Sequence, residues 1–108
     1  MEKDKAYLRH ILDAISNLEG FLKNKDYPAF IKDKLLQDGV VREIEIIGEA
    51  SKRISTKFKS SVKEIPWEDI AGMRDRLVHD YFSVDLGVVW ETINKDIPKL
   101  KNALLDKI

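Results

Sequence analysis

The chain has 108 residues, of which 44% are apolar and 35% charged, enough for one hydrophobic core and too apolar for a disordered segment. Its 19 Lys and Arg balance 19 Asp and Glu, which excludes a generally basic nucleic-acid coat and a polybasic membrane binder but leaves room for a local basic patch. The absence of Cys excludes disulfide scaffolds, thiolate catalysis and Cys-ligated zinc, and charged residues interrupt every apolar run far short of a membrane span.

Apolar positions recur at helical spacing along most of the chain. Residues 1–10 carry no apolar signal region, so a cytoplasmic location is expected. Leu8, Ile11, Leu12, Ile15, Leu18 and Leu22 step by three and four and predict one amphipathic helix, with Asp4 as a candidate cap. Asp26-Tyr27-Pro28 reads as a turn with Pro in the first turn of a new helix. Gly39 is the candidate for a break or kink in that helix. Val40, Ile44, Ile47, Ile54 and Phe58 continue its stripe, with Gly48 in the interior where it permits close helix approach. A Ser- and Lys-rich connection follows from Lys57 to Pro66.

Ile65-Pro66-Trp67-Glu68-Asp69 then reads as a helix start, with acids on the N-terminal dipole. A shorter helix runs on through Ile70, Met73 and Leu77. Ser83-Val84-Asp85 is a cap candidate for a last helix striped by Leu86, Val89, Trp90, Ile93, Ile97, Leu100, Leu104 and Ile108. Pro98 inside that helix predicts a kink or restart near Asp96. No strand alternation competes. The expected fold is all-α, one domain over residues 1–108 built as an antiparallel bundle of four main helices, with room for an additional short or kinked one.

Phosphate-loop, dinucleotide and zinc-protease motifs are absent, and with only His10 and His79 no metal site is expected. Carboxylate pairs such as Glu43/Glu45 are what 19 acids produce by chance, and His10 reads as a histidine at the solvent edge. The segment from Met73 to Phe82 is different. Arg74, Asp75, Arg76, His79, Asp80 and Tyr81 concentrate two guanidiniums, an imidazole, two carboxylates and a phenol. An imidazole moves protons near neutral pH, and Arg presents a planar fork to phosphate oxygens. Together they supply much of what metal-free phosphodiester cleavage requires: proton handling at a 2′-hydroxyl and charge stabilisation at phosphorus. Asp75, four residues before His79, could orient its ring. The same residues also suit a surface helix laced with Arg–Asp pairs. On an ideal helix Arg74 and His79 stand about 140° apart. Bringing them together requires a loosened helix near His79, a swung Arg side chain, or a site assembled from two chains.

Arg74-x4-His79-x-Tyr81 matches the RX4HXY motif of HEPN-domain proteins, and the chain resembles the HepT toxin family in particular. Ile46-Ile47-Gly48-Glu49-Ala50 resembles that family's IGEA segment and Ile65-Pro66-Trp67 its IPW segment. Tyr81-Phe82, Val84-Asp85-Leu86, Trp90 and Asp96-Ile97-Pro98 follow in the family's order, so the likeness runs from about Tyr27 to the C-terminus. The resemblance implies a metal-independent endoribonuclease without cofactor, the toxin of a toxin–antitoxin pair. Its implied partners are an RNA substrate, an MNT-type (MntA-like) nucleotidyltransferase antitoxin and a second copy of the chain that shares the cleft. It also implies catalytic roles for Arg74 and His79, auxiliary roles for Asp75 and Arg76, and adenylylation of Tyr81 by the antitoxin.

Independently of the likeness, Lys52, Arg53, Lys57, Lys59 and Lys63 form an acid-free basic run leading towards the motif. Such a run suits an RNA backbone, whose counterions cationic contacts release, and equally suits a solvated helix end. Trp67 and Trp90 could stack on bases but at helical spacing suit a core or interface better. The alternative function is a non-catalytic HEPN module that binds a nucleotide or docks a nucleotidyltransferase. An intact Arg74, His79 and Tyr81 favours the enzyme.

Overall fold

Two long helices, α1 (Glu2–Leu22) and α3 (Lys34–Arg53), pack along each other and frame the fold. The computed structural model describes residues 2–77 and 84–107, and all of its elements are helical. The inward stripe of α1 is Leu8, Ile11, Ile15 and Leu18, and that of α3 is Val40, Ile44 and Ile47, all buried. Burying each such side chain is worth about 1.5–3 kcal/mol relative to leaving it in water, which is what holds two amphipathic helices together. One polar pair crosses this seam: Asn17 Nδ2 donates to Oε1 of the buried Glu43 at 2.9 Å. Glu43 is therefore a satisfied core carboxylate.

The helix boundaries follow local chemistry. Beyond α1, Asn24 takes a left-handed φ of 63°, a conformation Asn tolerates better than most residues. Asp26 accepts the Ala29 N–H at 2.9 Å and opens the short α2 (Tyr27–Lys32). Asp33 then accepts the Leu36 N–H at 3.0 Å and starts α3. The break expected at Gly39 thus falls at Asp33, whose carboxylate satisfies a free backbone N–H that Gly39 has no side chain to reach. Gly39 stays helical.

Asp4 is not a helix cap either. Its buried carboxylate accepts the Ser55 N–H at 2.8 Å and the Ser55 hydroxyl at 2.6 Å. That hydroxyl in turn accepts the Phe58 N–H at 3.1 Å and caps α4 (Thr56–Ser61), a turn of helix inside the expected connection. The Ser55 side-chain and backbone hydrogen bonds hold the Asp4 carboxyl below the usual carboxylate range.

The predicted motif helix divides at Gly72 into α5 (Trp67–Ala71) and α6 (Met73–Leu77). Gly48 explains how α5 sits. A Cβ at Gly48 would lie 3.2 Å from the Ala71 carbonyl oxygen and 3.5 Å from that of Ile70, so α3 meets the end of α5 backbone to backbone. The close approach that Gly48 permits is made within the chain.

The last limb is α7 (Leu86–Glu91), a π-helical turn (Thr92–Asp96) and α8 (Ile97–Leu105). Asp85 caps α7 by accepting the Val88 N–H at 3.1 Å. Pro98 lacks an N–H and crowds the carbonyl four residues back, and the widened turn just before it gives the restart expected near Asp96. The rings of Tyr27 and Phe30 lie 5.6 and 5.3 Å from that of Trp90, so Trp90 packs α2 against this limb. With α1, α3 and the α5–α6 pair, it completes a helical bundle of four main limbs around one core.

Candidate active site

Helix α6 is anchored by what it hides and defined by what it shows. Met73 and Leu77, four residues apart, are fully buried, which leaves Arg74, Asp75 and Arg76 exposed between them. Arg74 leans on α3, where its Nε donates to Glu45 Oε2 at 3.1 Å. Its Nη1 lies 3.7 Å from Asp75 Oδ1, too long for a hydrogen bond. Arg76 turns to the other side of α6, with Nη2 3.6 Å from Asp96 Oδ2 in the π-helical turn. The two guanidiniums therefore serve different neighbours, as a separation of two residues on a helix requires.

His79 and Tyr81 lie outside the described residues. The residues on either side of that stretch are joined, because the Asp85 N–H donates to the Leu77 carbonyl at 2.8 Å. Residues 77 and 85, which flank that stretch, are thus held together at the C-terminal end of α6.

The basic run is spread over three elements. Lys52 and Arg53 end α3, and Lys52 pairs with Glu49 at 3.3 Å. Lys57 and Lys59 belong to α4, and Lys59 Nζ stands 6.0 Å from the Trp67 ring centre. Lys63 follows in the turn before α5 and is exposed. Trp67 is half-buried against Phe58, and its indole N–H donates to the Val62 carbonyl at 3.1 Å. It is a packing residue.

Glu45 is the neighbour of Arg74 that sequence reasoning did not single out. It stands 29 positions from Arg74, and nothing in the linear pattern separates it from its neighbour Glu43. Only the packing of α6 on α3 sends one carboxylate inward and the other to the motif. The packing of α1 on α3 in turn brings Tyr7 and His10 beside Glu45, in a shallow cleft of about 230 Å³. Among the described residues no group of three His, Asp or Glu side chains could hold a metal ion. No described helix is long and apolar enough to cross a membrane.

A helical bundle that presents an exposed, carboxylate-held Arg, five residues ahead of a His in the sequence, is a frame suited to phosphate chemistry. Comparison with known proteins identifies the frame. The family described as Ribonuclease HepT-like matches residues 11–106. A "Probable ribonuclease HepT" of Thermococcus cleftensis is 48% identical over 97 residues, covering 90% of this chain and 88% of that protein. A "Putative RNase" of Caldanaerobacter subterraneus is 43% identical over 101 residues, covering 94% and 90%. A "Gamma-glutamylcyclotransferase and putative RNase" of Methanocaldococcus jannaschii is 50% identical over 106 residues, and there the chain spans 48% of the relative's length. No solved structure matches significantly. The chain belongs to the HepT-like ribonuclease family.

Proposed function

We propose that the chain cleaves RNA internally and without a metal ion, using Arg74 and His79. The RNA's own 2′-hydroxyl attacks the adjacent phosphorus while His79 handles its proton. The bond from phosphorus to the 5′-oxygen breaks, that oxygen takes up a proton, and the products end in a 2′,3′-cyclic phosphate and a 5′-hydroxyl. Arg74 binds the scissile phosphate and stabilises the charge that grows on it. The observation that carries this reading is the Nε contact of Arg74 to Glu45 at 3.1 Å. It takes up the side of the guanidinium nearest α3 and fixes its orientation without using both terminal nitrogens.

The toxin role that the sequence resemblance implies extends the reading. Two copies would share one cleft, in which one His79 can act as base and the other as acid. A nucleotidyltransferase antitoxin would esterify the Tyr81 phenol with AMP from a nucleoside triphosphate, releasing pyrophosphate. The added phosphate would then compete with RNA for Arg74.

Labelled RNA incubated with the purified chain in EDTA tests the reaction. Cleavage should proceed, and His79→Ala should be slower by about 10²–10⁴-fold, the usual contribution of one acid–base group. Strict dependence on a divalent ion, or full activity in His79→Ala, would overturn it.

A further inference from the structure

The valley between α1 and α3 continues the site away from α6. Arg42, Glu45, Glu49 and Arg53 recur at three- and four-residue steps along one face of α3, and Tyr7 and His10, three apart on α1, face them. Both carboxylates of this cleft are engaged by cations from outside it: Arg74 holds Glu45 at 3.1 Å, and Lys52 holds Glu49 at 3.3 Å. Among the described residues neither Arg42 nor Arg53 has an ion-pair partner. The cleft therefore keeps the charge of two guanidiniums, set one on each side of a neutralised centre. His10 adds an exposed ring, held by Tyr7 in a T-shaped arrangement with centroids 6.0 Å apart. Two cations beside a fixed ring that can stack on a base form the combination that binds single-stranded nucleic acid.

We propose that this cleft is a second RNA subsite, in which Arg42 and Arg53 bind the phosphates flanking the one held by Arg74 and His10 stacks on the base between them. The proposal rests on the ribonuclease reading above, and Glu45 joins the two sites because it both lines the cleft and orients Arg74. It gives His10 a role in holding substrate and makes the α1–α3 face part of the RNA path.

Binding of a fluorescent, non-cleavable 2′-O-methyl RNA oligonucleotide to the full chain, followed by anisotropy over a range of salt, tests this independently of cleavage. Arg42→Gln with Arg53→Gln should weaken binding about tenfold or more. It should also flatten the plot of log affinity against log salt by about 1.4, two phosphate contacts on a single strand at about 0.7 each. His10→Ala should weaken binding several-fold while leaving that slope unchanged. Lys23→Gln with Lys25→Gln removes two cations beyond the far end of α1 and should alter neither quantity. Unchanged affinity and slope in the Arg42/Arg53 variant overturn the proposal, as does an equal loss in the Lys23/Lys25 control. Unchanged affinity with an altered mass in sedimentation would make the cleft a contact between copies and likewise overturn it. A chain that binds RNA in this pattern but never cuts it removes the proposed reaction and leaves the subsite standing. A chain that cuts RNA while the cleft variants bind normally removes the subsite alone.

Discussion

Arg74 on α6 and Glu45 on α3 meet through a single Nε–Oε2 contact of 3.1 Å, so the residue that would grip the scissile phosphate is aimed by a helix far from it in sequence. Their side chains are 47% and 33% exposed, and an ion pair that wet contributes about 0–1 kcal/mol to stability. Its importance is geometric.

Glu45→Ala should therefore unfold within about 1 kcal/mol of the parent in denaturant but cleave RNA roughly tenfold more slowly, because a displaced guanidinium forfeits its orientation. Glu45→Gln retains an oxygen acceptor and should recover part of the rate. Equal rates in all three proteins would mean that Arg74 needs no positioning.

Gly48 sets how closely α5 approaches α3. In Gly48→Ala the gain in helix propensity, about 1 kcal/mol, is opposed by a methyl group 3.2 Å from the Ala71 carbonyl, so stability should change little. Gly48→Val cannot be accommodated without moving α5. It should cost about 1–3 kcal/mol in denaturant unfolding and lower activity further, since α6 and Arg74 move with α5.

The Asp4–Ser55 pair makes stability depend on acid. The Asp4 carboxyl titrates lower in the folded chain than in the unfolded one, so its contribution is fully present above the ordinary Asp range and is lost as pH falls through the folded value. Asp4→Asn should lower Tm at neutral pH, and the gap to the parent should close in acid. Ser55→Ala also loses the cap on α4, worth about 1 kcal/mol, and should keep a deficit at both pH values.

Tyr81 should gain AMP when the chain is made together with a partner nucleotidyltransferase. Intact-mass spectrometry reads the added units, which should vanish in Tyr81→Phe, and that variant should escape silencing if it still cuts RNA. A chain that is silenced but unmodified would point to inhibition by binding alone.

The architecture was legible in the sequence wherever one residue decides a boundary by itself. Asp26 before Pro28, Asp85 before Leu86 and Pro98 after Asp96 each act within one turn of helix, and each expected boundary stands where the structure has it. Asp4 and Gly39 were misread, each for its own reason. What Asp4 does depends on a partner brought by packing, Ser55, whereas the break expected at Gly39 falls at Asp33 because only Asp33 has a carboxylate to take the Leu36 N–H. Gly48 makes the close approach expected of it, against the Ala71 carbonyl. At the site, Arg74, Asp75 and Arg76 announce themselves as a cluster, but their separate directions, towards Glu45 and towards Asp96, exist only once α6 has docked. His10 looked unremarkable for the same reason, since its neighbours in the cleft come mainly from α3.

The central claim is that Arg74 and His79 drive attack by the RNA's own 2′-hydroxyl, and the ends of the products test it most directly. In a single-turnover reaction on end-labelled RNA, the parent chain should leave 2′,3′-cyclic phosphate and 5′-hydroxyl ends, with Arg74→Ala and His79→Ala each slower by orders of magnitude. Products that end in 3′-hydroxyl and 5′-phosphate, or unchanged rates in both variants, would contradict it.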